Sequence, residues 1–394
     1  MMELISHIRK RSYGKMCTYD WEHKKKGRKC AMPCLRVSVN RMREGMVVKE
    51  DVFAKTGAVL VTEGTVVTKE VMTLLVRHFI DDVMVEYGPV KRDTPESRRE
   101  SGTPTETADR EVRRAEFEKK FLVAEQSLSE HLKEIVYRSD DVNVPELLGL
   151  LNGLLEKSND ETYLTDMLFC MKNQQTGLYA HSINVALFAQ LLARWSGCEQ
   201  DEIEMASAAG LLHDIGFLEL WKNGQEETEF RKEFETDKYE KHVVCGYNIL
   251  KKQNVDQRIK QAVLTHHERA NGSGFPLHVM GDNINKISRI IAIADTYEAL
   301  MMPDGGTAGM STFDAIKIME EQGYNRLDSN FLITFLNRIA ETMIQRSVLL
   351  DDGREGKVVM INKYRLSSPL VQVEGGFVDL EKQKRVHIKA VLED

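Results

Sequence analysis

Apolar residues recur with helical spacing over about residues 116–346, and this long regular pattern restricts the fold more than any other feature of the chain. The predicted helical segments are 117–137, 145–157, 179–196, 201–214, 238–252, 256–267, 282–301 and 328–346. After Ser347 the apolar period changes to two, with glycines between the apolar runs, which indicates a small β module over 347–394. We therefore expect a mainly α protein with an all-helical domain at its centre.

Three different regions precede this domain. Residues 35–88 combine short strand-like runs with one amphipathic helical stretch, which predicts a small α+β module. Residues 89–115 are rich in charge, Pro, Ser and Thr, and we expect an exposed linker there. Residues 1–34 follow neither period, so the folded protein is expected to begin near Met32, after a tail or a misassigned start. A zinc site is the alternative for this tail, although its candidate ligands fit no common finger spacing well: Cys17, His23, Cys30 and Cys34.

The composition restricts the compartment and the partners. A net charge of −7 with 42% hydrophobic residues excludes disorder as the main state and argues against a generally basic DNA- or RNA-binding protein. Six scattered cysteines favour a reducing cytoplasm over a secreted disulfide framework. The longest stretch without charged residues, 173–193, carries polar side chains throughout, and the N-terminus has no readable signal peptide. We expect a cytoplasmic protein without a membrane span.

The most informative side chains are ionisable groups on helix faces that should be buried. His181, for example, shares a face with Val185, Phe188 and Leu192. One histidine of this kind is more often a hydrogen-bonded core residue than a ligand. Here seven such groups occur in a single helical domain, and burying them without partners would be costly. Together they predict a metal centre with these candidate ligands: His181, His213, Asp214, His242, His266, His267 and Asp295.

This donor set is too large for one four-coordinate zinc ion, and it suits two divalent ions that share a carboxylate. Asp214 is the natural bridge, because it follows His213 directly and precedes the helix-stopping Gly216. Two such ions about 3.5–4 Å apart can hold a hydroxide for attack on phosphorus. We therefore expect phosphoester hydrolysis, with His213 and Asp214 as catalytic candidates.

Several motifs resemble those of the HD-GYP subgroup of HD-domain phosphohydrolases. They are Leu211-Leu212-His213-Asp214-Ile215-Gly216, His266-His267-Glu268-Arg269, Gly272-Ser273-Gly274-Phe275-Pro276 and the run from Ala294 to Leu300. The resemblance covers about residues 165–345. The 35–88 module and the 353–380 stretch look like accessory regions found in some members.

The resemblance implies hydrolysis of cyclic di-GMP to pGpG or GMP at a di-iron or di-manganese centre. It gives the first metal His181, His213, Asp214 and Asp295, and the second Asp214, His242, His266 and His267. A third metal would need an acidic residue one turn before His181, and Gly177 stands there, so we expect two ions. The substrate-binding candidates are Arg269, Gly272, Gly274, Phe275 and Pro276.

The chain departs from the family pattern in the substrate-binding positions. Phe217 replaces a lysine that, in the family, contacts the scissile phosphate. Losing this contact is expected to cost about 3 kcal/mol of transition-state stabilisation, and Lys222 is a further candidate for the contact. Phe275 replaces a tyrosine. After Leu300 the usual Asp-Arg-Pro-Tyr-Arg run, which helps to hold guanine, is missing.

Three functions remain open from the sequence. The first is a dimetal phosphodiesterase acting on cyclic di-GMP. The second is a weak or inactive relative that keeps its metals and binds a nucleotide or a signalling protein, and the third is a phosphohydrolase for another nucleotide. Segment 117–137 can lie on the helical domain or pair in a homodimer.

Overall fold

A computed structural model shows a mainly α protein, which confirms the predicted fold class. It divides into two compact units, whose described residues lie between Leu35 and Glu106 and between Thr107 and Leu392. The structure describes residues 35–38, 46–53, 59–68, 71–72, 74–75, 80, 82–87, 104–155, 177–221, 239–301 and 309–392. The predicted tail at 1–34, its alternative zinc ligands and Lys222 lie outside the described residues.

The described part of the first unit is a small antiparallel β structure. Its strands are β1 (Leu35–Ser38), β2 (Met46–Val48), β3 (Val52–Phe53), β4 (Val59–Val61) and β5 (Asp82–Tyr87). One sheet has the order β1-β5-β2, and β3 pairs with β4. Residues 71, 72, 74 and 75 are helical, and Leu75 is buried in the same core as Val48 and Val83. These elements agree with the predicted α+β composition.

Helix α1 (Pro104–Lys133) begins inside the predicted linker, so residues 104–115 are helical and the expected linker boundary is corrected. Proline is favourable at the first helical position. Farther along, the charged residues pair one turn apart, with Arg114 3.5 Å from Glu118 and Lys120 3.6 Å from Glu116. A composition that indicates a linker is therefore also compatible with a solvated helix. A π-helical turn, Glu134–Arg138, follows α1.

The remaining helices form the body of the second unit. They are α2 (Val144–Leu155), α3 (Leu178–Trp195), α4 (Gln200–Leu212), α5 (Gly216–Trp221), α6 (Lys241–Lys251), α7 (Gln257–Thr265), α8 (Lys286–Met301), α9 (Thr312–Gln322) and α10 (Ser329–Thr342). Helices α5 and α9 were not predicted. Within the described ranges, no helix combines the length and the apolar character that a bilayer crossing needs.

Helix α3 is the centre of this unit. Every residue from Leu178 to Ala193 is buried, as expected for a helix that is surrounded by others. Helix α4 packs so tightly along it that a Cβ atom on Gly210 would lie 2.5 Å from the Cα atom of Ala186. This close contact fixes the relative position of the two helices.

The C-terminal strands form one antiparallel sheet of order β10-β6-β7-β8-β9. They are β6 (Ser347–Leu350), β7 (Glu355–Met360), β8 (Leu370–Val373), β9 (Gly376–Asp379) and β10 (Ile388–Val391). Val348, Val358 and Val371 are buried in the same hydrophobic core as the helices. The change of period at Ser347 therefore marks a change of secondary structure inside one compact unit.

Helix α5 approaches α6 at a glycine. A Cβ atom on Gly216 would lie 1.9 Å from the carbonyl oxygen of His242 and 2.6 Å from the backbone nitrogen of Gly246. Both neighbours are backbone atoms, so a side chain at 216 requires the helices to separate.

We predict that Gly216→Ala lowers the free energy of unfolding by about 3 kcal/mol, because of this overpacking. Urea denaturation followed by circular dichroism measures the change. Gly149→Ala is the matched control, since no atom lies within 4 Å of a Cβ at that exposed helical position, and it should be neutral or stabilising by up to about 1 kcal/mol. Equal unfolding midpoints for Gly216→Ala and the wild type would refute the prediction.

Candidate metal centre

Two histidines from neighbouring helices meet in the middle of the helical unit. His181 lies in the first turn of α3, and His213 caps the C-terminal end of α4. Because Gly210 lets these helices pack closely, the Nε2 atoms of the two rings are 3.1 Å apart. Both rings are buried. Nitrogens that converge in this way either share a proton or ligate one cation.

Three of the histidines are oriented by the carbonyl oxygen of the residue three positions earlier. The Nδ1 atom lies 2.8 Å from this oxygen in His213 and 3.0 Å from it in His266, and His242 makes the same contact. A carbonyl oxygen only accepts, so we assign the proton to Nδ1 in each ring. Each Nε2 then presents a lone pair to the cluster, which is the tautomer that metal ligation requires.

The Asp214 carboxylate lies between two sets of imidazoles. Its Oδ2 atom is 3.3 Å from His213 Nε2 and 3.4 Å from His181 Nε2. Its Oδ1 atom is 3.1 Å from His242 Nε2 and 3.7 Å from His266 Nε2. Each oxygen therefore faces a different set, as a bridging carboxylate does.

The seven predicted ligands come together in two groups. The first group is His181, His213 and Asp295, and the second group is Asp214, His242, His266 and His267. Within each group, one ligand atom per residue lies within 4.8 Å of the others. With Asp214 as the bridge, this is the division that the family resemblance implies.

The residues fit divalent cations. Asp214 Oδ1 and Asp295 Oδ2 are buried and accept no hydrogen bond from any residue that the structure describes. His242 Nε2 is 3.1 Å from Asp214 Oδ1, and with the ring neutral and its proton on Nδ1 it presents a lone pair to this oxygen. A buried anionic oxygen that faces a lone pair is unfavourable until a cation lies between them. Imidazole and carboxylate donors suit iron, manganese, zinc or nickel, so the donor set does not select one metal.

The protonation states of three ligands also favour ligation. Burial alone would raise the pKa of Asp214, but positive charge on His213 and His242 in their protonated forms outweighs burial and lowers this pKa well below its usual value. Burial lowers the pKa of His266 to about 4. Burial, together with the neighbouring His266, lowers the pKa of His267 well below its usual value. At neutral pH the carboxylate is therefore charged and these two rings are neutral, as metal ligands must be.

Glu298 orients the His181 ring through Nδ1, the ring nitrogen that does not face the cluster. Its Oε2 atom is 2.7 Å from His181 Nδ1, and its Oε1 atom accepts a hydrogen bond of 3.3 Å from Asn184 Nδ2. Burial opposes a charge on His181, but Glu298 and Asp214 raise the pKa of His181 to about 10. The ring is therefore protonated at neutral pH in the metal-free protein, and a metal that binds Nε2 would displace a proton, while Glu298 keeps Nδ1 oriented. The sequence analysis did not single out Glu298, although it lies one turn after Asp295 on α8.

The predicted substrate-binding loop packs against the second group. A Cβ atom on Gly274 would lie 2.3 Å from the His267 carbonyl oxygen, so only glycine fits there. The Glu268 carboxylate accepts a 2.6 Å hydrogen bond from the Leu277 backbone and closes the loop. Gly272, also predicted to bind substrate, turns the chain with a φ of +76°.

The other substrate-binding candidates differ in exposure. Phe275 and Pro276 are partly exposed, and the Phe275 ring lies 4.8 Å from the His267 ring between centroids. Arg269 is buried, and its Nη1 atom donates to the carbonyl oxygens of His266 and Glu268. Arg269 thus fixes the backbone that carries two ligands.

Phe217 stacks on a predicted ligand. Its ring centroid is 4.3 Å from that of His242 with an interplanar angle of 10°, and its side chain is completely buried. The position where the family has lysine is here an apolar support for the His242 ring.

We predict that Glu298→Gln weakens metal binding about 10- to 100-fold, because the amide is a poorer partner for His181 than the carboxylate. Isothermal titration calorimetry with Mn²⁺ measures the affinity. Glu204→Gln is the control, since Glu204 is exposed on α4. Unchanged affinity in Glu298→Gln would show that the carboxylate does not support the ligand.

Comparison with known proteins shows what the helical unit is similar to. Residues 164–331 match the HD domain. Cyclic di-GMP phosphodiesterase PdeB of Borreliella burgdorferi is 27% identical over 210 residues, which cover 52% of this chain and 55% of that protein. The 3'3'-cGAMP-specific phosphodiesterase 2 of Vibrio cholerae is 34% identical over 162 residues, which cover 39% of this chain and 30% of that protein. Cyclic di-GMP phosphodiesterase PA4108 of Pseudomonas aeruginosa is 26% identical over 204 residues, covering 52% of this chain and 49% of that protein.

The chain thus spans about half the length of these curated relatives, or less. The similarity is concentrated in the helical unit that carries the histidine and aspartate cluster. Residues 164–331 are therefore similar to the HD domain, and the names of these relatives are consistent with the predicted HD-GYP subgroup.

Proposed function

We propose that this chain is a dimetal phosphodiesterase that hydrolyses cyclic dinucleotides, with cyclic di-GMP as its substrate. One observation carries the proposal: the two oxygens of the buried Asp214 carboxylate face two separate sets of ligand atoms. One shared carboxylate between two histidine sets suits a pair of ions that act on the same phosphate.

Two divalent ions, with iron or manganese as the proposed metals, would supply positive charge for the phosphate and a water molecule of lowered pKa. Within the chain, Asp214 would hold both ions, and His213 would fix one of them beside it. The first and second groups are carried mainly by helices or by residues at helix ends. Because these donors are buried and already oriented, little reorganisation is needed as negative charge develops on the phosphate.

The choice of a cyclic dinucleotide rests on the names of the relatives and on the partly exposed aromatic ring beside the second group. Two of the relatives are named for cyclic di-GMP and one for 3'3'-cGAMP. The partly exposed Phe275 ring lies beside His267, where an aromatic face can stack on a nucleobase. These features favour a substrate that has both a base and a phosphodiester.

A second candidate function is a metal-containing scaffold that binds a nucleotide without efficient hydrolysis. The observation that favours it is the buried Phe217, which offers no positive charge to a phosphate. A phosphohydrolase for another nucleotide is the third candidate, because an intact metal centre could serve a different substrate.

We predict metal-dependent hydrolysis of cyclic di-GMP by protein loaded anaerobically with iron or manganese, and loss of this turnover to background in Asp214→Ala, which removes the shared ligand. Product formation is measured by liquid chromatography, with metal content determined in parallel. Asp201→Ala, an exposed aspartate at the start of α4, should retain activity.

Two results would contradict the proposal. Absence of turnover by wild-type protein that carries two ions would favour the scaffold. Hydrolysis of other phosphodiesters without hydrolysis of cyclic di-GMP would favour the third function.

A further inference from the structure

Among the residues that the structure describes, three aromatic side chains contact the imidazoles of the second group, and they differ in exposure. Phe217 is completely buried behind His242. Tyr239 and Phe275 are partly exposed. A ligand that enters from solvent on this side therefore meets Tyr239 and Phe275, while Phe217 stays behind the ligands.

Tyr239 is held firmly beside the second group. Its backbone oxygen accepts a hydrogen bond from His242 Nδ1. Its ring centroid lies 5.3 Å from that of His242 and 5.0 Å from that of His267. Phe275 packs edge to face against it, with 5.6 Å between the ring centroids. Backbone and ring contacts thus fix the side chain at the edge of the metal centre.

The Tyr239 side chain lies between solvent and the second group. It is partly exposed, and its ring contacts the rings of both His242 and His267. A phosphate that approaches the second group from this side therefore passes the Tyr239 side chain. A phenol offers one hydrogen-bond donor.

We propose that Tyr239 is a substrate-contacting residue, whose hydroxyl donates a hydrogen bond to the phosphate at the metal centre. The inference rests on the proposed function. Of the three described aromatic side chains around the second group, Phe217 and Phe275 have no donor, whereas the Tyr239 hydroxyl can donate to a phosphoryl oxygen. A hydrogen bond to a charged oxygen is stronger than one between neutral groups.

The test compares wild-type protein, Tyr239→Phe and Tyr364→Phe, all loaded with Mn²⁺. The probe is inorganic phosphate, and calorimetry measures its affinity while metal analysis measures ion content. Tyr239→Phe keeps the ring and removes only the hydroxyl. Tyr364→Phe is the matched control, because Tyr364 is 97% exposed outside the helical domain. The same proteins are then assayed for kcat and KM with cyclic di-GMP.

We expect Tyr239→Phe to keep both ions and to bind phosphate about tenfold more weakly, with kcat/KM reduced by a similar factor and Tyr364→Phe unchanged. Equal phosphate affinity in Tyr239→Phe and the wild type would overturn the inference. Loss of metal from Tyr239→Phe would also overturn it, since the residue would then support the ligands. A wild type that binds no phosphate would overturn it as well. If the wild type binds phosphate but hydrolyses no cyclic di-GMP, the proposed function fails, and the phosphate affinities still decide the role of Tyr239.

Discussion

The buried Asp214 carboxylate lies between two sets of imidazoles, and the arrangement of the surrounding helices depends on it. Its ligand partners come from α3, from the ends of α4 and α7, and from α6 and α8. An isolated carboxylate in such an interior is strongly disfavoured, whereas one that shares two cations becomes an anchor for several helices. The cluster is therefore both the candidate site of chemistry and a stabilising element of the helical unit, so the metals are expected to stabilise the fold as well.

Close backbone contacts next to the ligands place this cluster. Gly210 packs on Ala186 one turn before His213, Gly216 packs on the His242 carbonyl, and Gly274 packs on the His267 carbonyl. In each case a side chain would push apart two segments that carry ligands. Metal–ligand bonds tolerate deviations of only about 0.2 Å, so small residues at these contacts are part of the geometry of the site.

The period of the apolar residues was enough to predict the central helices, and polar groups on buried faces were enough to identify seven side chains that the structure brings together. The six-residue α5 is too short to show a period, whereas α9 was missed although Phe313, Ile316 and Met319 have helical spacing. The start of α1 was missed because a charged helix resembles a linker in composition. Contacts between distant segments, such as that of Glu298 with His181, depend on tertiary packing, so they could not be predicted from the sequence pattern.

The most direct test of the account is a crystal structure of manganese-loaded protein with anomalous scattering data at the manganese edge. The account predicts two anomalous peaks, one on each side of the Asp214 carboxylate and about 3.5–4 Å apart. The first peak should lie near His181 and His213, and the second near His242 and His266. A single peak in fully loaded protein, or two peaks that do not share Asp214, would contradict a bridged dimetal centre.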